Sequence, residues 1–200
     1  MSEPRWAAAH AARETQWSNF GTLGAHFAPI IGPTFTGGPT WPSRPGWQVV
    51  YPFSGGTVVC SNGLSDAFED QDPSVGYGLE IYAGCSERVE EIQGHWLMSM
   101  VMQLSNVCAG HGGIPGLLER MGALTVELEN QGFPQEFVLD NGRVCALIGT
   151  QGPLADLSLP QGRIRVVSAT LISPQHTAEV LDQGESRRRS LAQELGWVSG

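Results

Sequence analysis

Four acids, Asp66, Glu69, Asp70 and Asp72, crowd the loop in the middle of the stretch Val58 to Ala83, VVCSNGLSDAFEDQDPSVGYGLEIYA. Carboxylates this close can hold a divalent cation, offer negative charge to a partner, or bond their own backbone in tight turns. Their spacing does not match the D-x-[DN]-x-[DN]-G calcium loop. Cys108 and His111 are the residue types of a thiol nucleophile and its base, but no third group is specified to orient them. The remaining histidines, 10, 26, 95 and 176, are scattered without H-E-x-x-H or a ligand pair. His95 stands at a predicted helix start, where capping or packing is the ordinary role. The chain has no Lys, so the phosphate-binding G-x-x-x-x-G-K-[ST] is excluded; G-x-G-x-x-G before a helix and G-x-S-x-G are missing too. The residues point to recognition rather than catalysis, and no cofactor is expected.

The elements that must position this loop follow from pattern. Thr57 to Ser61 and Gly76 to Ala83 have strand composition, and the residues between them have turn composition. Gly76 and Gly78 inside a strand pattern suggest a bulge or a close backbone approach. Trp47 to Phe53 is a strand whose Pro52 marks an edge position or a strand end, and Ser54-Gly55-Gly56 turns it into the next strand. Pro4 to Trp17 reads as a helix ended by Asn19 to Gly24. Between Ala28 and Gly46, prolines at 29, 33, 39, 42 and 45 exclude regular structure, and Phe35 and Trp41 are the expected anchors.

Glu87 to Cys108 is the strongest helical stretch, with an apolar stripe through Val89, Ile92, Trp96, Met100 and Leu104. Ser86 suits its N-cap, although Gly94 weakens the middle and allows a start near His95. Leu117 to Met121 is a short turn. Strands are predicted at Ala123 to Glu129, Glu136 to Leu139, Val144 to Gly149 and Arg163 to Ile172, with Asp140-Asn141-Gly142 as a hairpin turn. Ser173-Pro174 opens a last helix to Leu195, bent or broken at Gly184. Strands joined mostly by turns, with helices between groups, predict one α+β domain: a mixed or antiparallel sheet packed against helices. Residues 1–46 form the N-terminal helix and the Pro-rich segment lying on the body, and 47–200 form the body.

The 200 residues suffice for one full core. Twenty acids against eleven arginines leave a formal charge of −9, which argues against nonspecific nucleic-acid binding. The same charge suits a basic protein partner by long-range steering, and equally suits plain solubility. No run of 18 apolar residues marks a membrane span, and the N-terminal stretch lacks a signal-peptide core, so a cytoplasmic protein is expected. Cys60, Cys85, Cys108 and Cys145 are widely spaced in apolar settings, as expected of buried reduced thiols.

GLSDAF at 63–68, followed by DPSVGYGLEI at 72–81, resembles the suppressor-of-fused family, whose members carry G-L-S-D and then D-x-P-S-G-[FY]-G-x-E. His95-Trp96, LTVELEN and VCALIGT follow in matching order, so the resemblance spans roughly Trp47 to Leu195. The loop between the motif halves is shorter than in animal members, and Val75-Gly76 replaces a tighter join. The resemblance implies an N-terminal-domain-like fold and a non-enzymatic protein binder that takes an extended peptide along a sheet edge beside an acid and aromatics. It places Asp72 at the acid before P-S-G and Phe68 at the aromatic after G-L-S-D. Stand-alone bacterial members are thought to act as immunity proteins in polymorphic toxin systems. The expected partner-binding residues are Phe68, Glu69, Asp70, Asp72 and Tyr77, and the expected partner is a basic toxin domain. The alternatives are a scaffold for an endogenous extended peptide and a small metal-dependent hydrolase using the Asp66–Asp72 loop with His95 or His111.

Overall fold

A computed structural model describes residues 5–31, 37–68 and 74–199. Among them the chain runs α1 (Arg5–Phe20), β1 (Gly21–Phe27), β2 (Trp47–Pro52), β3 (Thr57–Ser61), β4 (Leu79–Cys85), α2 (Trp96–His111) and α3 (Ile114–Met121). It continues through β5 (Leu124–Leu128), a 3-10 turn (Gln135–Phe137), β6 (Val144–Thr150), β7 (Leu157–Leu159), β8 (Gly162–Ile172), α4 (Pro174–Gln183), α5 (Glu185–Glu194) and β9 (Val198–Ser199). The strands form one mixed sheet in the order β1-β2-β3-β4-β8-β6-β5, with β7 paired to β8 and β9 to β4. Its neighbours are antiparallel except at β4–β8 and β4–β9. The expected α+β domain with a mixed sheet and packed helices is what forms.

Alternation along the strands sorts the core into two layers. Val49, Val59, Leu79, Ile81, Ala146 and Val167 pack on one face with Leu97, Met100, Val101 and Leu104 of α2. On the other face Val50, Val58, Cys60 and Tyr82 pack with Trp17 of α1, while Cys145 and Leu147 pack with Val180 of α4 and Leu191 of α5. Helices therefore cover both faces, and the central strands are buried throughout; all seven residues of β4 are buried.

Several local expectations are corrected. The helix predicted from Glu87 begins only at Trp96: Gly94 takes φ +80°, and His95, not Ser86, caps the helix by accepting from Leu97 N at 3.3 Å. The segment after α1 is a strand rather than a terminator. A Cβ at Gly24 would sit 2.8 Å from the Tyr51 ring and 3.2 Å from Val49, so its glycine marks close packing against β2. Pro52 ends β2, which is interior, so the strand-end reading holds and the edge reading does not. Residues 136–139 form a 3-10 turn and a single bridge, Val138 to Val144, instead of a strand. The turn residues 117–121 belong to the longer α3. Gly184 divides the last helix in two, with Ser173 accepting from His176 N at its start.

The described part of the Pro-rich segment is irregular, as its composition requires, and Trp41 is its buried anchor; Phe35 lies outside the described residues. All four cysteines are free and buried.

Candidate partner-binding site

The loop between β3 and β4 is held from beneath by a polar bracket inside the core. Glu80, on β4, is fully buried on the sheet face toward α1. Its Oε2 accepts from Ser61 Oγ at 2.5 Å, and its Oε1 accepts from Gly63 N at 3.1 Å, Ser65 N at 3.0 Å and Ser65 Oγ at 2.6 Å. One carboxylate thus gathers the strand end and both sides of the turn that follows. Gly63 adopts φ +135°, which lets the chain fold back over that carboxylate.

Arg13 completes the bracket from α1. It shares a buried helical face with Ala9 and Trp17, and only 1% of it is exposed. Its Nε donates to Asn62 Oδ1 at 2.6 Å, one terminal nitrogen donates to Ser65 Oγ at 2.9 Å, and the other donates to Asp66 Oδ1 at 2.7 Å. Glu80 Oε1 is 3.6 Å from the same guanidinium. Ser43, in the Pro-rich segment, donates to the second oxygen of Asp66. One cation faces two carboxylates, and hydroxyls and backbone N–H groups supply the remaining donors. A buried charged group needs this degree of satisfaction to be tolerated.

The two ends of the loop close on this base. Tyr77 N donates to Leu64 O at 2.8 Å, and Gly78 N donates to Val75 O at 2.8 Å. Gly76 sits at φ +55°, and a Cβ there would collide with the carbonyl oxygens of Leu64 and Asp66. The glycines read as marks of bulging or close approach therefore lie in the turn before β4, whose first residue is Leu79.

Phe68 and Tyr77 stand half-buried on top of the bracket, edge to face with ring centres 5.3 Å apart. Tyr77 OH donates to Thr40 O at 2.6 Å, tying the loop to the Pro-rich segment. Glu69, Asp70 and Asp72 lie outside the described residues. The structure thus brings together two of the predicted contact residues, Phe68 and Tyr77. Arg13 escaped the sequence reading; the signal for it was an Arg on the same helical face as Ala9 and Trp17.

The candidate chemical residues are dispersed or engaged. Asp66 is ion-paired to Arg13, His95 caps α2 and lies 3.1 Å from Glu87, and His111 is exposed at the end of α2. Burial pushes the Cys108 thiol up to about 12. No cluster of His, Cys, Asp or Glu able to hold a metal exists among the described residues. No helix among them is long and apolar enough to cross a membrane.

The hairpin strands are interior to the sheet: β3 lies between β2 and β4, and β4 between β3 and β8. The far end of β4 is also flanked by β9, and Trp197 lies over Gly84. Main-chain pairing with a visiting peptide is therefore closed to these strands, and what they display is the loop.

No family model matches the chain, and no curated protein matches it by sequence. Solved structures do. The Sufu–Fu complex superposes with a TM-score of 0.50 at 13% identity, over 95% of this chain and 84% of that one. Drosophila Suppressor of Fused superposes with a TM-score of 0.51 at 12% identity, over 98% of this chain and 49% of that one. The likeness covers nearly the whole chain, well beyond the GLSD and GYGLE segments, and the chain has the fold of suppressor of fused.

Proposed function

We propose that this chain is a non-enzymatic protein-binding domain that docks a polypeptide on the Phe68–Tyr77 loop. More specifically, it is an immunity-type protein that neutralises a toxin. The observation that carries the reading is the bracket itself. Arg13, Asp66 and Glu80 are buried and mutually engaged, so they serve to hold a surface rather than to transform a substrate. The surface they hold presents the aromatic pair Phe68 and Tyr77, and the sequence that follows Phe68 is rich in acids, the residue types that make anchors and steering charge at interfaces. The Sufu fold supports the class of function, since a solved structure of that fold is a complex with a protein, Fu.

On this reading Phe68 and Tyr77 supply apolar contact, and Glu69, Asp70 and Asp72 supply charge toward a basic partner. The net charge of −9 acts in the same direction. Association should be fast at low salt and weaken steadily as ionic strength screens it. Purification with the product of a neighbouring toxin-like gene at low salt tests this directly. A complex lost on Phe68→Ala with Tyr77→Ala is the expected result, and no complex at any salt concentration would count heavily against the proposal.

A second reading, a scaffold for an endogenous extended peptide, is favoured by the sheet ends. β1 and β5 are the terminal strands of the sheet order, each with one strand neighbour among the described residues. A peptide adding a strand would use one of these rather than the hairpin. Amide protection that rises in Leu124–Leu128 on binding, and not at the loop, would identify that mode.

A further inference from the structure

β8 pairs with β4 only from Leu79 to Tyr82; beyond that point the place beside β4 is taken by β9, at Gly84 and Cys85. The slot is shaped for an aromatic ring. A Cβ on Gly84 would lie 2.5 Å from Cζ3 and 3.0 Å from Cε3 of Trp197, so the missing side chain is the seat of the indole. Tyr82 and Phe20 close the seat, with ring centres 6.1 and 5.9 Å from that of Trp197. The occupant is short. Its backbone is held at Gly84–Val198, at Cys85–Ser199 and by the bridge from Gln151 to Gly196, and Trp197 and Val198 are only half-buried. Gly196 is exposed and a Cβ there would meet nothing, so the link to α5 adds no side-chain packing.

Parallel pairing is the weaker ladder, and each ordered residue gives up backbone entropy. One indole and a two-residue strand therefore put this segment at the low end of local stability, whereas β4 beneath it is buried along its whole length. We propose that the β4 edge at Gly84 and Cys85 is a strand-addition site for an extended peptide with an aromatic residue followed by a β-branched one, and that residues 196–199 are its displaceable occupant. The resident segment identifies the chemistry: Trp197 fills the glycine seat, and Val198 and Ser199 supply the ladder. Main-chain bonds give such a peptide its affinity, and the seat gives it its specificity. The tethered segment competes at an effective concentration on the order of millimolar, so the slot is closed to weak visitors and open to a tight one. The site shares no residue with the Phe68–Tyr77 loop, and neither proposal depends on the other.

The test uses the full chain and a fluorescein-labelled peptide, Leu-Gly-Trp-Val-Ser-Gly, the sequence of residues 195–200. Trp197→Ala empties the seat without altering its walls. Fluorescence anisotropy should show saturable binding to this variant, at least ~10-fold tighter than to the unaltered chain, where the tethered segment competes. The same peptide with Ala in place of Trp should bind at least ~10-fold more weakly than the Trp peptide. Gly84→Ala puts a methyl group in the seat, and combined with Trp197→Ala it should abolish binding.

Hydrogen exchange of the unaltered chain keeps the test decisive if Trp197→Ala folds poorly. Amides of 196–199 should exchange ~100-fold or more faster than those of Leu79–Tyr82. Gly84→Ala alone should speed them further and leave Leu79–Tyr82 protected. Amides of 196–199 that open only when the whole protein unfolds, no saturable binding to a folded Trp197→Ala chain, or equal binding of the Trp and Ala peptides would overturn the proposal.

Discussion

A guanidinium with 1% of its surface exposed cannot turn to water when its partners are removed, and neither can the carboxylates it leaves behind. Arg13→Leu should therefore lower stability by about 3–5 kcal/mol, because Asp66 and Glu80 would remain as buried, uncompensated acids. Urea unfolding measures this through the transition midpoint at constant slope. The same pairing explains why Asp66, although one of four clustered acids, is not available to a metal or a partner: the Asp of GLSD is part of the frame. Those acids were legible as residue types, but the burial of Asp66 depends on an arginine 53 positions away.

His26 allows a second test at this scale. Its neutral form is favoured in the folded protein, chiefly by burial. Its contribution to stability is thus complete above the unfolded value of 6.5 and is lost as pH falls from there through the lowered folded value. Unfolding midpoints measured across that range should drop on the acid side, and His26→Gln should flatten this part of the profile.

Among the elements, the β3–β4 connection is where pattern and structure agree best on location and differ most on role. Apolar, β-branched runs on either side of turn residues located both strands. Whether a strand is an edge or an interior one is decided by what pairs with it, and the partners of β4 are β3, from nearby in sequence, and β8, from far away. A purely apolar strand buried on both faces is consistent with an interior place, and β4 matches that except for Glu80, whose charge marks the loop anchor. The hydroxyl of Tyr77 joins this loop to the Pro-rich segment through Thr40. Tyr77→Phe should cost about 0.5–1.5 kcal/mol and speed amide exchange around residues 37–41 while leaving the sheet amides unchanged. At the other end of the chain, Gly184 occupies φ 65°, ψ −135°, a conformation that residues with a Cβ resist, and it separates α4 from α5. Gly184→Ala should destabilise by about 1–3 kcal/mol, seen as an earlier thermal transition. That break was legible because glycine, having no Cβ, carries its backbone preference in the residue type itself.

For the whole molecule, two helical layers around a mixed sheet put every cysteine out of solvent. Burial raises all four thiols, Cys145 to about 11 and Cys108 to about 12. No rapid reaction with a thiol reagent is expected for the native chain near neutral pH, since the thiolate is the reactive form, and all four cysteines should react once urea opens the core. By itself, the order of residues determined the α+β class, the existence of most strands and helices, the turn at Asn141-Gly142, the break at Gly184 and the β3–β4 loop that carries Phe68 and Tyr77. These follow from local periodicity and backbone preference, which act over a few residues. Tertiary structure alone decided that β1 belongs to the sheet and that β3 and β4 lie inside it. It also decided that Arg13 locks the loop by reaching Asn62, Ser65 and Asp66. Each of these depends on burial and on charges brought together from distant segments, and sequence separation carries no information about that until the chain has folded.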